Sequence, residues 1–124
     1  MNYLIHQLLN AEEINLIKKE LEKCGQEDWE DGKKTAGSHA SIVKNNLQLN
    51  KNTEVSKKNA QLVNKKILSS QLIKSFSLPK RIHGIMFTKS LNKMHYGRHI
   101  DNPYMSSGRS DLSFTVFLNF KKKY

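Results

Sequence analysis

The segment DLSFTVFLNF, Asp111 to Phe120, constrains the fold of this chain more than any other. Leu112, Phe114, Val116, Leu118 and Phe120 alternate with Ser113, Thr115 and Asn119 across a period of two, the spacing that sends alternate side chains to opposite faces of a β-strand. Such a strand needs neighbours. Only FKKKY closes the sequence, with no turn and no returning strand. An antiparallel sheet left there would present a long apolar edge of the kind natural proteins cover or charge. The expectation is a chain cut short at its C-terminus, or one that pairs this edge with another copy or a partner.

Two more strands are expected upstream. Arg81 to Thr88, RIHGIMFT, follows the break at Pro79 and is apolar enough to be buried, and a second strand runs around Tyr96 to Asp101. Helical signals come earlier. Asn10 and Glu13 read as an N-cap and its capping-box partner, and the helix begins near Ala11. Ile14, Ile17, Leu21 and Cys24 form its apolar stripe and Gly25 its stop. Thr53 and Glu54 open a second helix with Ala60, Val63 and Ile67 on its apolar face and Lys57, Lys58, Lys65 and Lys66 on its solvated one. Asn2 to Leu9 reads as a short strand or extended lead-in. Glu27 to Asn50, rich in Gly, Asn, Ser and Lys, reads as loops around one short strand near Ile42 and Val43. Helices first and strands afterwards give an α+β class. A length of 124 residues suits one domain, mainly helical over 1–78 and strand-forming over 79–124.

Cys24 is the only cysteine, which excludes an intrachain disulfide and a cysteine-based zinc site and suggests a reducing, cytoplasmic setting. No basic leader opens the chain, and no run of about 18 uncharged apolar residues is present to span a membrane. The formal net charge of +10 favours anionic partners, whether nucleic acid, phosphate or small dicarboxylates. Any metal must be held by histidine and carboxylate.

The stretch YGRHIDNP, Tyr96 to Pro103, supplies one of each. On a strand, side chains two residues apart leave the same face about 6.5 Å apart, so His99 and Asp101 could reach one ion while Ile100 turns into the core. Completed by another histidine, the pair would make the facial triad of non-haem Fe(II) oxygenases, which leaves positions open for co-substrate and oxygen. The bland reading is a polar pair on a solvated face. Among the other histidines, His95 has the right parity but lies about 13 Å along the strand. His83 needs a cooperative register and otherwise reads as an ordinary core or hydrogen-bonded side chain. His6 and His39 fall outside the expected sheet. A Gly-rich phosphate loop, a nucleophile elbow, His-Glu-x-x-His and paired cysteines are all missing.

With its flanking segments, the chain resembles the PKHD-type hydroxylases, prolyl-4-hydroxylase-like Fe(II)- and 2-oxoglutarate-dependent dioxygenases. The segment WEDGKKTAGSHASIVKNNLQL is similar to the family signature at Trp29, Asp31, Gly32, Thr35 to Gly37, Lys44 to Asn46 and Gln48. YGRHIDNP resembles the segment with the first two iron ligands, and RSDLSFTVFLN the strand after it. The resemblance implies a double-stranded β-helix, or jelly roll, behind N-terminal helices, of which this chain would hold the first strands. It implies iron held by His99, Asp101 and a distal histidine, ascorbate to keep that iron reduced, and decarboxylation of 2-oxoglutarate coupled through O2 to hydroxylation of an unidentified substrate. In the family the distal histidine and the basic anchor for 2-oxoglutarate lie downstream of the FLN match, so this chain alone should be weakly active or inactive. The family's usual Tyr and Gly ahead of the motif are replaced in SLNKM, Ser90 to Met94.

Residue by residue, Trp29 reads as a core anchor, the glycines as turn formers, and Asn45 and Asn46 as partners of loop backbone. Tyr96 reads as a packed aromatic. Arg98 and Arg109 could steer an anionic co-substrate, but surface pairing is the commoner fate of such arginines. The alternative to a dioxygenase is a small basic nucleic-acid-binding module in which His99 and Asp101 are structural and Lys57 to Lys66 and Lys121 to Lys123 bind phosphate. It is the lesser reading, because no aromatic residues are interleaved with these basic runs.

Overall fold

A computed structural model describes residues 3–119. Asn2, Phe120 and the Lys121 to Lys123 run lie outside the described residues. Ahead of the first helix Tyr3 to Leu8 forms no strand, and Leu9 tucks into the core at 3% exposure.

Helix α1 spans Ala11–Glu22 and starts where the sequence places it. The Glu13 N–H donates to Asn10 Oδ1 and the Asn10 N–H to a Glu13 carboxylate oxygen, each at 2.9 Å, which satisfies two of the otherwise orphan donors. Ile17 is fully buried, and Ile14, Leu21 and Cys24 pack against the same core. Burial pushes the Cys24 thiol pKa up. The stop differs from expectation. Lys23 caps the helix, and Gly25 has an ordinary φ of −71°, opening a short 3-10 turn at Gln26–Asp28 instead of a left-handed cap.

The segment after it is more regular than its composition suggests. Strand β1 (Trp29–Asp31), a 3-10 turn at Gly32–Thr35, helix α2 (Ser38–Val43), strand β2 (Lys44–Asn45) and strand β3 (Leu47–Leu49) follow in order. Ile42 and Val43 are therefore helical, and Ile42 points to solvent. The short strand expected near Ile42 and Val43 is therefore corrected: the chain extends only from Lys44 onward.

Helix α3 (Glu54–Ser69) matches its signals: the Ser56 N–H donates to Thr53 Oγ1, and Val63 and Ile67 are buried. It runs antiparallel to α1. Glu13 pairs with Lys66 and Glu20 with Lys58, while the buried Asn59 side-chain amide donates to Glu20 at 2.8 Å. The lysine partners hold both carboxyls below the usual range. Helix α4 (Gln71–Ser77), which the sequence signals did not reveal, ends on left-handed Leu78 immediately before Pro79.

The remaining strands are short: β4 (Thr88–Lys89), β5 (His95–Tyr96), β6 (Tyr104–Met105) and β7 (Gly108–Arg109). All pairings are antiparallel. One sheet has the order β1, β3, β4, a second pairs β2 with β5, and a third is the β6–β7 hairpin. The class is α+β, with sheets drawn from both sides of residue 78.

Three strand expectations are corrected. Of Arg81 to Thr88 only Thr88 enters a strand, although Phe87 is buried and its carbonyl accepts from the Leu49 N–H at 2.9 Å. Of Tyr96 to Asp101 only Tyr96 does, and Ile100 is 92% exposed where core burial was expected. From Asp111 to Leu118 no strand forms. Val116 and Leu118 reach the core, but Leu112, Phe114 and Phe117 face solvent. The shared cause is pairing: an alternating segment becomes a strand when backbone partners take its N–H and C=O groups in succession, and among the described residues these segments make only isolated bonds of that kind, such as Leu49 N–H to Phe87 O and Gly97 N–H to Val43 O.

The core centres on Leu9, Ile17, Leu49 and Phe87, with Trp29, Val55, Ala60 and Ile85 around it. Trp29 is thus an anchor, and its ring carries the Lys89 ammonium 3.9 Å from the centroid.

Candidate metal centre

The segment from β2 into β3 has an inverted alternation. Lys44, Asn46 and Gln48 are all buried, at 4%, 7% and 7% exposure, while Asn45 between them is exposed. Polar groups turned inward cost free energy unless they are partnered, and here most are. The Thr35 hydroxyl donates to Gln48 Oε1 at 2.6 Å, Lys44 Nζ donates to Thr35 Oγ1 at 3.2 Å, and Gln48 Nε2 reaches Met86 Sδ at 3.0 Å. Burial lowers the Lys44 pKa, with Asp31 opposing that shift. Asn46 bonds through its backbone carbonyl, which accepts from the Gly32 N–H at 2.9 Å, and its buried Oδ1 has no partner among the described residues. The side-chain bonds expected of Asn45 and Asn46 to loop backbone are therefore not the ones formed. Gly32 is required for close approach, since a Cβ there would meet Asn46 Oδ1 at 2.0 Å.

Strand β5 pairs with β2 beside these residues. Tyr96 stands opposite Lys44 in the ladder and His95 opposite Asn45, and the Gly97 N–H donates to Val43 O at 2.8 Å. Just past the strand, the His99 ring stacks on Tyr96 with centroids 3.8 Å apart and planes 10° from parallel. His99 Nδ1 lies 2.8 Å from Gly97 O and can only donate there, so Nε2 is the nitrogen free to act as a base or ligand. That Nε2 sits 3.2 Å from Asp101 Oδ1. Desolvation, then the Asp101 charge, raise the Tyr96 pKa.

His99 and Asp101 thus come together as expected, but on an irregular turn instead of a strand face. Their geometry fits a shared cation. Ligand bonds of about 2.1 Å at right angles put two donor atoms about 3.0 Å apart, close to the observed separation. A histidine ligand that anchors its other ring nitrogen on a backbone carbonyl is the usual outer-shell arrangement. Among the described residues no third His, Cys, Asp or Glu joins them. His83 is hydrogen-bonded to Ser107 Oγ at 2.6 Å and Arg109 O at 3.2 Å, tying the β6–β7 hairpin to the segment after α4. His95 is exposed on β5, as are His6 and His39 elsewhere. Arg109 pairs with Asp111 at 2.7 Å on the surface, and Arg98 is exposed. Lys57, Lys58 and Lys66 are all engaged by Glu54, Glu20 and Glu13.

The chain is similar along its whole length to curated proteins called PKHD-type hydroxylases. A relative from Prochlorococcus marinus (strain MIT 9301) is 87% identical over 124 residues, all of this chain and 56% of the relative. Relatives from strains MIT 9215 and MIT 9515 are 68% and 65% identical over the same span, again 56% of each. The chain is thus similar over all of its own residues to PKHD-type hydroxylases, and it spans about half the length of the curated relatives it matches. No family model matches it. No solved structure matches either. Among the described residues no helix is long and apolar enough to cross a membrane.

Sequence reasoning singled out the Lys44 to Gln48 segment but not its connection to His99. The signal was present in the alternation of Lys44, Asn46 and Gln48, polar where a buried strand face is ordinarily apolar.

Proposed function

We propose that this chain carries two ligands of the iron centre of an Fe(II)- and 2-oxoglutarate-dependent hydroxylase, His99 through Nε2 and Asp101 through its carboxylate. The observation that carries the reading is the 3.2 Å approach of these two groups with His99 Nδ1 committed to Gly97 O. The relatives' name, PKHD-type hydroxylase, supports the reaction class. Iron bound there would activate O2 with 2-oxoglutarate as co-substrate and ascorbate as reductant, to hydroxylate a substrate that these residues do not specify. The neutral imidazole and the carboxylate offer one nitrogen and one oxygen at adjacent positions, and leave the others to a third ligand and to the reactants. In this reading β4 to β7 belong to the first part of a jelly roll, and the third ligand and the 2-oxoglutarate anchor come from the part of the relatives that this chain does not match.

The test compares two proteins. The relative from strain MIT 9301 should form succinate from 2-oxoglutarate with Fe(II), and should lose that activity when the residues aligned with His99 and Asp101 are each changed to Ala. The 124-residue chain alone should form none detectable. Turnover surviving both substitutions in the relative would contradict the ligand assignment.

A further inference from the structure

A lysine at 4% exposure with no ion pair among the described residues is costly, and an aliphatic side chain of similar volume would fill the same space without that cost. Lys44 has two engagements that an aliphatic side chain could not make. Its ammonium donates to Thr35 Oγ1 at 3.2 Å, and it lies 5.1 Å from the centroid of the Tyr96 ring. Thr35 has a single hydroxyl proton, and the shorter contact at 2.6 Å assigns it to Gln48 Oε1, so a lone pair faces Lys44. Gln48 is held in turn through Nε2 on Met86. The missing Cβ of Gly32 makes room for the lysine stem, since one built there would lie 3.0 Å from Lys44 Cε. The ammonium is thereby fixed from behind and presented to the face of Tyr96.

The same ring is stacked by His99, at 3.8 Å and nearly parallel. The antiparallel register opposes Lys44 and Tyr96, and the Tyr96 ring contacts both the ammonium and the imidazole. We propose that Lys44 is a positioning residue for His99: its buried ammonium holds the Tyr96 ring, and that ring fixes the imidazole orientation in which Nε2 faces Asp101. The hydrogen bond from Nδ1 to Gly97 O sets which nitrogen is free, whereas the stack sets the plane in which that nitrogen points. The proposal rests on the ligand reading above for its consequence, but not for its geometry.

The test uses the 124-residue chain and two readouts. In the metal-free protein the His99 ring protons should resonate upfield, because the Tyr96 ring lies over them. Lys44→Met should abolish most of that shift and weaken Mn(II) binding about tenfold or more, the scale of losing an outer-shell contact. Lys44→Arg, which keeps a cation over the ring, should preserve the shift and hold affinity within about threefold. The methyl resonances of Ile17 and Leu49 report whether the fold is intact. If Lys44→Met fails to fold, Thr35→Val removes the acceptor behind the ammonium and should reduce the His99 shift in the same direction. Unchanged His99 resonances in a folded Lys44→Met or Thr35→Val chain would overturn the proposal. A Lys44-dependent shift in a wild-type chain that binds no Mn(II) would uphold the positioning and overturn the metal reading instead.

Discussion

Gly97 and Val43 are in contact across the β2–β5 pair: the Gly97 N–H donates to Val43 O at 2.8 Å, and a Cβ at Gly97 would lie 2.9 Å from Val43 Cβ. No side chain fits between them. The same glycine offers its carbonyl to His99 Nδ1, so the residue at this tight contact also sets the tautomer of the candidate ligand.

Gly97→Ala should therefore act on both. The added methyl must push β5 from β2, at a cost of about 1–3 kcal/mol for an overpacked site. Moving the Gly97 carbonyl should loosen His99. Urea unfolding should show the stability loss, and Mn(II) titration should show weaker binding than the stability loss alone explains.

Ile17→Ala should lower stability by about 2–5 kcal/mol, the range for emptying a fully buried aliphatic site. Ile17 has no exposure and lies in the cluster with Leu9, Leu49 and Phe87. Thermal or urea unfolding monitored at Trp29 measures the change. A loss below 1 kcal/mol would mean that α1 is not seated on the core as described.

Acid should loosen α1 from α3. Glu13 and Glu20 both have carboxyl pKa values depressed below the ordinary 4.5, chiefly by their bonds to Lys66 and Lys58. A depressed folded value means that the stabilisation is fully present above the unfolded value and is lost as pH falls through the folded one. The urea midpoint should thus fall as pH drops below the ordinary glutamate range. Glu13→Gln with Glu20→Gln should flatten that slope, since glutamine at position 13 still completes the capping box.

The exposed apolar residues should be measurable as a surface. Ile100, Tyr104, Leu112, Phe114 and Phe117 are between 51% and 92% exposed within one short stretch of sequence, and exposed apolar patches of this kind bind hydrophobic probes. Phe114→Ser with Phe117→Ser should reduce dye binding while leaving the unfolding free energy from urea titration within about 0.5 kcal/mol of the parent, as is usual for surface changes. Full dye binding by the double variant would move the sticky surface elsewhere.

Local signals were legible where local chemistry decides. The Asn10 and Glu13 box, the Thr53 cap, the Ile17 stripe and the break at Pro79 depend on neighbours a few residues away, and each is found in place. The strands failed because a strand depends on distant partners: Asp111 to Leu118 carries a stronger alternation than β2, yet β2 pairs and that segment does not. His99 and Asp101 were legible as a pair because their separation is short on a strand or a turn alike. Lys44 over Tyr96 was not, because 52 residues separate two side chains that only the β2–β5 register brings together.

The most direct measurement is a Mn(II) titration of the 124-residue chain with the histidine ring resonances observed. Saturable binding that selectively broadens the His99 ring, and that disappears in both His99→Ala and Asp101→Ala, is the expected result. Binding that persists in Asp101→Ala, or broadening that favours His83 or His95 over His99, would contradict a metal centre built on this pair.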